Sequence, residues 1–359
     1  MASACRMKKD RSRHRSSTRK APSARDVARL AGVSRTQVSY TLNGTGKTHV
    51  TAEKRDRILA AAKKLAYHPH QPAQSLRRGF SLEFSVFFPA PFTPRILEIL
   101  DTIHETGLAG GCVVAQYSWN RHRDPERKSE AFRTMLARRP LGIFCSLMDL
   151  ERKDIEEARA SGIERILVLD VEQHSDLTTF FLPVEEIGRA AAAHLLEKGH
   201  RRMAILRPAD PVQKRPFRLR HRGMKKAMAA FKDSSLEILD WPARNMMPTL
   251  DAARAFVDGA LVPGDAPTAI YAYSDDHAFP LMRALRERGM RVPKDIAVLG
   301  TDDLAYGELC SPSLSTIRFD SSALGERAVA LINSLITGQP PEERFLNAPL
   351  PYVIQREST

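Results

Sequence analysis

The chain has 359 residues, a formal net charge of +13 at pH 7 and a pI of about 9.8. It is long enough for more than one domain, and its basic character suits a polyanionic partner. It has no apolar run of membrane-spanning length, no secretory signal, and no metal-ligand spacing among Cys5, Cys112, Cys145 and Cys310. These features exclude a membrane span and a cysteine-held metal, and they predict a cytoplasmic protein with reduced thiols.

The basic charge is concentrated at the start of the chain. Residues 1–21 are rich in Arg, Lys and Ser, and the stretch from Arg6 to Lys20 contains a single acid, Asp10. Such a segment has too little apolar surface to form a core. We therefore predict a disordered tail that adds non-specific attraction to phosphate.

Residues 23–44 read as two short helices joined by a tight turn. Ser23 is a good N-cap with Asp26 three residues on, and the apolar residues that follow recur at spacings of three and four. Gly32 suits a left-handed helix end, and Ser34 can cap the second helix. This pattern predicts a compact helical pair.

The second of these helices carries polar side chains near its start. Val38 and Leu42 are predicted to point inward. The polar residues around them are Arg35, Thr36, Gln37, Ser39 and Tyr40. Two helices across a short turn, the second with a polar N-terminal half, follow the helix-turn-helix plan for reading the major groove of DNA. The alternative is an ordinary helical pair inside a larger domain.

A third helix and a short fourth one are predicted next. Thr51 can cap a helix over residues 52–65, which must end before Pro69. Pro72 can begin a further helix and Gly79 can end it. An isolated helix shorter than about 12–15 residues is marginal in water, so we expect this one to need a partner or DNA to fold.

The short helix has one large apolar residue, Leu76, followed by Arg77 and Arg78. A leucine beside arginines suits a wedge in the minor groove, with the arginines on phosphate. The alternative is a plain linker.

From Leu82 onward, buried-strand patterns alternate with amphipathic helices. The predicted helices cover residues 96–105, 126–138, 151–160, 188–198, 219–231, 249–260, 278–288 and 321–337. Strands that alternate with helices and are apolar on both faces indicate parallel sheets. Because the pattern restarts after Pro183, we predict an α/β core of two doubly wound parallel-sheet lobes, with ligands at the carboxyl ends of the strands.

The chain thus divides into four predicted parts. They are a basic tail (1–21), an all-α helix-turn-helix headpiece (22–69), a hinge helix (70–80) and the α/β core (81–359). Within the core we expect a first lobe of about 82–183 plus 318–345, and a second lobe of about 184–317 plus 346–358.

Several ordered motifs resemble the LacI/GalR family of transcriptional regulators. In the headpiece and hinge they are DVARLAGVSRTQVSYTLNG, VTAEKRDRILAAAKKLAYHP and PAQSLRRG; in the core they include HLLEKGHRRMAIL, LRERGMRVPKDIAVLGTDDLA and SPSLSTIRFD. The resemblance covers residues 22–358. It implies a homodimer that reads a pseudo-palindromic operator in double-stranded DNA, and a periplasmic-binding-protein-like core that binds a small effector, a sugar or related metabolite.

The resemblance also implies roles for individual residues in the headpiece and hinge. Arg35, Thr36 and Tyr40 match positions that face bases, with Gln37 beside them in the same DNA-binding helix. Leu76 matches the minor-groove wedge. The remaining implied DNA contacts and caps are Ser23, Ser34, Asn43, Thr51, Arg55, Ala73 and Arg77. Tyr40 departs from the family, which often has Arg or His there.

In the core, the resemblance implies an effector site. Arg220, predicted at the start of a helix, matches an arginine used on effector hydroxyls or carboxylates. Asp302 is implied as a hydroxyl acceptor, Trp241 as a stacking ring and Asp275 as a further contact. Phe319 stands where the family often has Gln.

Two other functions compete with regulation. An enzyme could use Asp275, Asp276 and His277, or the neighbours Asp302 and Asp303, as acid/base groups. The sequence has, however, no nucleophile elbow, Walker loop or GxGxxG after a strand. A solute receptor would not need the basic headpiece. We expect no cofactor, no metal and no catalysis, and a repressor as the default output.

Overall fold

The computed structural model describes residues 21–42, 50–68, 81–90, 92–121, 123–242, 248–261 and 266–359. It divides into two compact units, Met1–Arg77 and Arg78–Thr359. The predicted hinge helix and almost all of the predicted tail lie outside the described residues. Within those residues, no helix combines the length and the apolar character needed to cross a bilayer.

The first unit is a bundle of three short helices. They are α1 (Ala24–Ala31), α2 (Arg35–Leu42) and α3 (Ala52–Lys64). Their shared core is small and includes the fully buried Val27, Val38 and Ile58. Gly32 ends α1 in the left-handed conformation, with φ of 64°, as its place after the apolar stripe predicts.

The second unit begins with a lobe built on a five-stranded parallel sheet in the order β2-β1-β3-β4-β5. Its strands are β1 (Glu83–Phe87), β2 (Val113–Tyr117), β3 (Gly142–Ser146), β4 (Arg165–Asp170) and β5 (Thr178–Phe181). Its helices are α4 (Pro94–Thr106), α5 (Arg127–Ala137) and α6 (Arg152–Ala160). The central strand β3 is buried along its whole length, as expected of a parallel strand covered on both faces.

The second lobe has a six-stranded sheet in the order β11-β10-β9-β8-β6-β7. The strands are β6 (Arg202–Arg207), β7 (Ser235–Asp240), β8 (Ala269–Tyr271), β9 (Ala297–Thr301), β10 (Ser315–Arg318) and β11 (Tyr352–Ile354). The helices are α7 (Val184–Glu197), α8 (Lys214–Met228), α9 (Leu250–Ala260), α10 (Asp275–Glu287) and α11 (Tyr306–Leu309). All pairings are parallel except that of β11, which is antiparallel to β10.

The chain passes between the lobes three times. It leaves the first sheet after β5, returns after β10 to form α12 (Ser321–Thr337), and crosses again to form β11. Helix α12 packs against α4 and β4 of the first lobe. These crossings hold the two sheets so that a cavity lies between them, lined from both lobes.

Two glycines let α7 and α8 cross at very short range. A Cβ on Gly188 would lie 1.8 Å from the Arg220 carbonyl oxygen, and a Cβ on Gly223 would lie 2.0 Å from that of Glu185. No other residue fits at either position, because any side chain begins with this atom. The crossing fixes the backbone of Arg220, which lines the cavity.

Candidate functional site

The start of α2 is fixed by a reciprocal pair of hydrogen bonds. The Gln37 backbone N–H donates to Ser34 Oγ at 3.1 Å, and the Ser34 backbone N–H donates to Gln37 Oε1 at 3.1 Å. This is a capping box, which satisfies two backbone donors that the helix leaves unpaired. The oxygen of the Gln37 side chain is therefore engaged in the cap, whereas its amide nitrogen remains a donor.

The outer face of α2 presents the three predicted base-facing side chains. Arg35, Thr36 and Tyr40 are exposed, while Val38 on the opposite face is fully buried. A short helix that buries one face and shows polar groups on the other has the form needed to enter a major groove.

The predicted phosphate contacts differ in how they are held. Ser23 and Asp26 form a capping box at the start of α1, in which the Ser23 N–H donates to Asp26 Oδ2 at 3.0 Å and Ser23 Oγ donates to the same oxygen at 2.7 Å. Thr51 Oγ1 accepts from the Lys54 N–H at 3.4 Å, and Arg55 is half-buried on α3. The predicted contacts Asn43, Ala73, Leu76 and Arg77 lie outside the described residues.

A cavity of about 390 Å³ lies between the two lobes of the core. The residues that follow β1, β3 and β4 line it from the first lobe, and those that follow β6, β8 and β9 line it from the second. Carboxyl ends of parallel strands are the usual position for ligands in such sheets. The volume suits a small molecule.

Arg220 lines this cavity from the middle of α8, not from the start of a helix as predicted. The helix begins at Lys214, five residues before the predicted residue 219, because Pro216 falls in its first turn, where proline is tolerated. Arg220 Nη1 donates to Tyr271 Oη at 3.0 Å and to the Tyr273 carbonyl oxygen at 2.6 Å. Its guanidinium carbon lies 4.2 Å from the centroid of the Tyr273 ring.

Two tyrosines hold Arg220 in place, and each of them is held by a further hydrogen bond. Tyr271 Oη shares a hydrogen bond with Thr301 Oγ1 at 2.8 Å, and Tyr273 Oη donates to Gln213 Oε1 at 2.5 Å. Burial raises the pKa of Tyr273 far above its usual value, so its hydroxyl stays protonated. Tyr273 has a positive φ of 66°, which is uncommon for a residue other than glycine. Neither tyrosine belongs to a motif that predicts a functional role.

Two ion pairs join the lobes across the cavity. Arg95, at the start of α4, donates to Asp302 at 2.5 Å, and its guanidinium lies 5.2 Å from the Phe319 ring centroid. Arg121, beyond β2, pairs with Asp149 of its own lobe and lies 3.7 Å from Asp210 of the other lobe. Asp302 lines the cavity as predicted, but an arginine of the opposite lobe engages it.

A third ion pair joins the lobes beside the cavity. Arg215 of α8 lies 3.2 Å from Asp170, at the end of β4, and 3.0 Å from Glu172. Asp170 also contacts His174 Nε2 at 2.6 Å. Partly buried pairs of this kind are screened less by salt than exposed ones, so together they favour the arrangement of the lobes seen in this structure.

Trp241 and Asp275 do not line the cavity, in contrast to the prediction. The Trp241 ring is buried against Phe256 and against His277, which does line it. The Asp275 carboxylate is buried and accepts from Thr316 Oγ1 at 2.6 Å and from the Leu304 N–H at 2.8 Å. Both residues support the cavity wall from behind.

Asp276 and His277 line the cavity, whereas Asp275, which was the predicted effector contact, does not. Asp276 is half-buried, and desolvation raises the pKa of its carboxyl, as does the nearby Asp302. Burial lowers the pKa of His277 to about 3, so its imidazole is neutral, and its Nδ1 lies 2.7 Å from Ser274 Oγ. Within the described ranges, no three His, Cys, Asp or Glu side chains are grouped to hold a metal ion.

Two family patterns match this chain. Residues 23–70 match the bacterial regulatory proteins of the lacI family, and residues 192–359 match a periplasmic binding protein-like domain. The first covers the three-helix unit, and the second covers most of the second lobe together with α12. These matches agree with the predicted headpiece and α/β core.

Whole-length relatives extend these matches. The transcriptional regulator GntR of Pseudomonas aeruginosa is 30% identical over 347 residues, which cover 94% of this chain and 96% of that protein. The transcriptional repressor PurR of Haemophilus influenzae is 26% identical over 314 residues, covering 87% and 90% respectively.

A solved structure also aligns over nearly the whole chain. The lac repressor dimer bound to operator and the anti-inducer ONPF has a TM-score of 0.75 at 27% identity and covers 95% of this chain and 99% of its own. The order of a helix-turn-helix unit and a two-lobed core, together with this length of match, confirms the resemblance seen in the sequence. The chain belongs to the lacI family of bacterial regulatory proteins, which are DNA-binding regulators of transcription.

Proposed function

We propose that the protein is a homodimeric repressor that acts on chromosomal DNA in the cytoplasm and binds a small effector in the inter-lobe cavity. One observation carries this proposal: the same chain has both an exposed polar face on α2 and a cavity between two lobes that are bridged by ion pairs. Bacterial relatives of the same length are named as regulators and repressors of transcription.

In this proposal Arg35, Thr36 and Tyr40 contact base edges, and Gln37 contributes its amide donor. Ser23, Ser34, Thr51 and Arg55 cap helices or contact phosphate. The predicted contacts Asn43, Ala73, Leu76 and Arg77 belong to the same interface, with Leu76 as the minor-groove wedge. Exposure of the α2 side chains supports these roles.

The cavity is proposed to control DNA binding through the arrangement of the lobes. A ligand shifts a conformational equilibrium only by binding one state more tightly than the other. Arg95, Arg121 and Arg215 bridge the lobes in this structure, so a ligand that alters these pairs changes the balance between this arrangement and a more open one. We propose that residues 70–80 carry this change to the headpiece.

We further propose that the cavity binds its ligand without chemical conversion. General acid and base catalysis needs groups that are available to exchange protons with the substrate. Asp275 is instead fixed by Thr316 and Leu304, and Asp302 by Arg95. Their arrangement supports a binding role.

Selection from a random duplex library with the full chain tests this function. We expect a pseudo-palindromic site, and we expect Arg35→Gln to relax the preference at one base pair per half-site. A lost bidentate guanine contact costs about 1–3 kcal/mol. Lys64→Gln, an exposed residue in the last turn of α3, removes the same charge and should keep the selected site.

Two results would contradict the proposal. Recovery of no consensus site would argue against a sequence-specific regulator. Equal weakening by Arg35→Gln and Lys64→Gln, with unchanged base preference, would assign Arg35 to the phosphate backbone.

A further inference from the structure

Most polar groups of the cavity that could accept hydrogen bonds from sugar hydroxyls already have partners within the protein. The Asp302 carboxylate is engaged by Arg95, and Asp149 pairs with Arg121. Asp210 lies 3.7 Å from Arg121, and its Oδ2 keeps free acceptor capacity, since it has no hydrogen-bond partner among the described residues. Gln213 Oε1 accepts from the Tyr273 hydroxyl. A polyhydroxylated ligand needs many such acceptors, because each hydroxyl it buries without a partner costs free energy.

Arg220 is the exception among the cations of the cavity. It is only 5% exposed, and its guanidinium forms no ion pair within the described part of the chain. Its contacts are the neutral oxygens of Tyr271 and Tyr273 and the Tyr273 ring, and its Nε has no hydrogen-bond partner among the described residues. A buried cation of this kind favours an anionic partner, and a guanidinium matches a carboxylate in shape.

The wall that the first lobe contributes is largely apolar. Its lining side chains include Phe88, Phe92, Ile96, Leu169, Val171 and Leu182. These six side chains gain free energy by covering an apolar ligand body, and they offer no hydrogen bonds to a sugar ring.

A second negative charge on the ligand would be unfavourable here. Asp276 lines the cavity on the side of the second lobe, half-buried and without an ion pair among the described residues. Like charges at short range repel more strongly where water is excluded. We therefore expect dicarboxylates and phosphates to bind more weakly than a monocarboxylate.

We propose that the effector is an amphipathic monocarboxylate, with its carboxylate on Arg220 and its apolar body on the first-lobe wall. This inference rests on the proposed function, since it takes the inter-lobe cavity as the effector site. It goes further by naming the ligand class, which differs from a neutral sugar and from a sugar acid.

Calorimetric titration and thermal shift of the full chain test the proposal with defined probes. The acids are phenylacetate, 3-phenylpropionate and cyclohexanecarboxylate. The comparison compounds are phenylacetamide, gluconate and glucose. We expect at least one apolar acid to bind saturably and raise the Tm, with at least tenfold weaker binding of phenylacetamide, gluconate and glucose.

Two variants assign the binding to Arg220. Arg220→Gln should abolish binding of the acid, whereas Arg218→Gln, an exposed arginine of the same helix, should leave it unchanged. If Arg220→Gln fails to fold, the ratio between phenylacetate and phenylacetamide in the unmodified chain still decides the role of the charge.

Tighter binding of gluconate or glucose than of any apolar acid would overturn the proposal, as would no binding of the three acids or equal binding of acid and amide. Operator binding of the same preparations separates this outcome from the proposed function. Intact operator selectivity with another ligand class refutes only the monocarboxylate. Loss of operator selectivity refutes the repressor and leaves the titrations interpretable.

Discussion

Asp275 positions the cavity wall without touching the cavity. Its carboxylate accepts hydrogen bonds from Thr316 and Leu304, which fix the turn that carries Asp302. Asp302 itself has a positive φ of 110°. Gly300 makes room for this arrangement, because a Cβ there would lie 2.0 Å from Asp275 Oδ1. Desolvation in this position raises the pKa of Asp275 to about 7.

The raised pKa of Asp275 predicts a specific dependence of stability on pH. The ordinary value is 3.8, so the folded chain holds a proton between about pH 4 and 7 that the unfolded chain releases. The free energy of unfolding therefore falls as pH rises through this window, by about 1.4 kcal/mol per unit, and is level above it. In Asp275→Asn this fall should be absent, as measured by denaturant unfolding at several pH values.

His277 gives the opposite slope in part of the same window. Its folded pKa of about 3 lies below the ordinary 6.5, so its contribution to stability rises with pH up to about 6.5. Subtracting the free energy of unfolding of Asp275→Asn from that of the unsubstituted chain at each pH cancels the His277 contribution, because both chains retain His277. A difference that stays constant from pH 4.5 to 8 would show that Asp275 is ionised in the folded chain.

At the scale of single residues, the sequence predicted where the effector site lies more accurately than which residues line it. Asp275 and Asp276 both follow β8 at the carboxyl edge of the sheet, and only the rotation of α10 decides which one lines the cavity. Tyr271 and Tyr273 carried no signal, because a tyrosine in a strand pattern is usually a core residue. Arg220 and Asp302 line the cavity, and the family motif had implied a place in the effector site for both.

Among the elements, α2 depends on its cap because it has only eight residues. Ser34→Ala removes the acceptor for the Gln37 N–H and should lower the free energy of unfolding of the headpiece by about 0.5–2 kcal/mol. Ser34→Asp retains an acceptor and should cost much less. Circular dichroism during urea unfolding measures both. Equal losses in the two variants would show that the hydroxyl acts in another way.

The crossing of α7 and α8 predicts a large effect from one methyl group. Gly223→Ala places its Cβ against the Glu185 carbonyl, so we expect a loss of about 1–3 kcal/mol or more, seen as a lower Tm of the core. Gly259→Ala in α9 meets open space and is the matched control. It should be neutral or stabilising by up to about 1 kcal/mol. A similar Tm for the two variants would mean that the helices can separate freely.

Helices with strong periodicity were predicted closely, except at some of their starts. The predicted helix of 321–337 coincides with α12, whereas α8 and α10 begin before their predicted starts of 219 and 278. Strand β5 has four residues and was not predicted at all. The antiparallel direction of β11 depends on a chain crossing that no local pattern encodes.

For the whole molecule, the two lobes are bridged by ion pairs whose partners could not be identified from the sequence. Repeated strand and helix patterns predicted two lobes, but arginines are too common in this chain for Arg95, Arg121 and Arg215 to stand out. Their partners lie in the opposite lobe, at sequence separations of up to 207 residues for Arg95 and Asp302.

Removing two of these bridges should shift the ligand-free core toward a more open form. We expect the double variant Arg95→Gln and Arg215→Gln to have a larger radius of gyration in small-angle X-ray scattering. Arg207→Gln, which breaks an exposed pair with Asp240 inside one lobe, should leave it unchanged. An unchanged radius of gyration in the double variant would show that apolar contacts, and not these ion pairs, hold the lobes together.

The late position of α12 and β11 in the chain has a consequence for synthesis on the ribosome. The first lobe lacks the helix that covers α4 until residues 321–337 have emerged, and the second sheet lacks its edge strand until residues 352–354 follow. The three-helix unit, by contrast, is complete within the first 64 residues. We therefore expect a nascent chain whose headpiece folds early while both lobes still expose apolar surface. Residues 321–354 cover that surface, so their emergence decides whether the chain escapes aggregation.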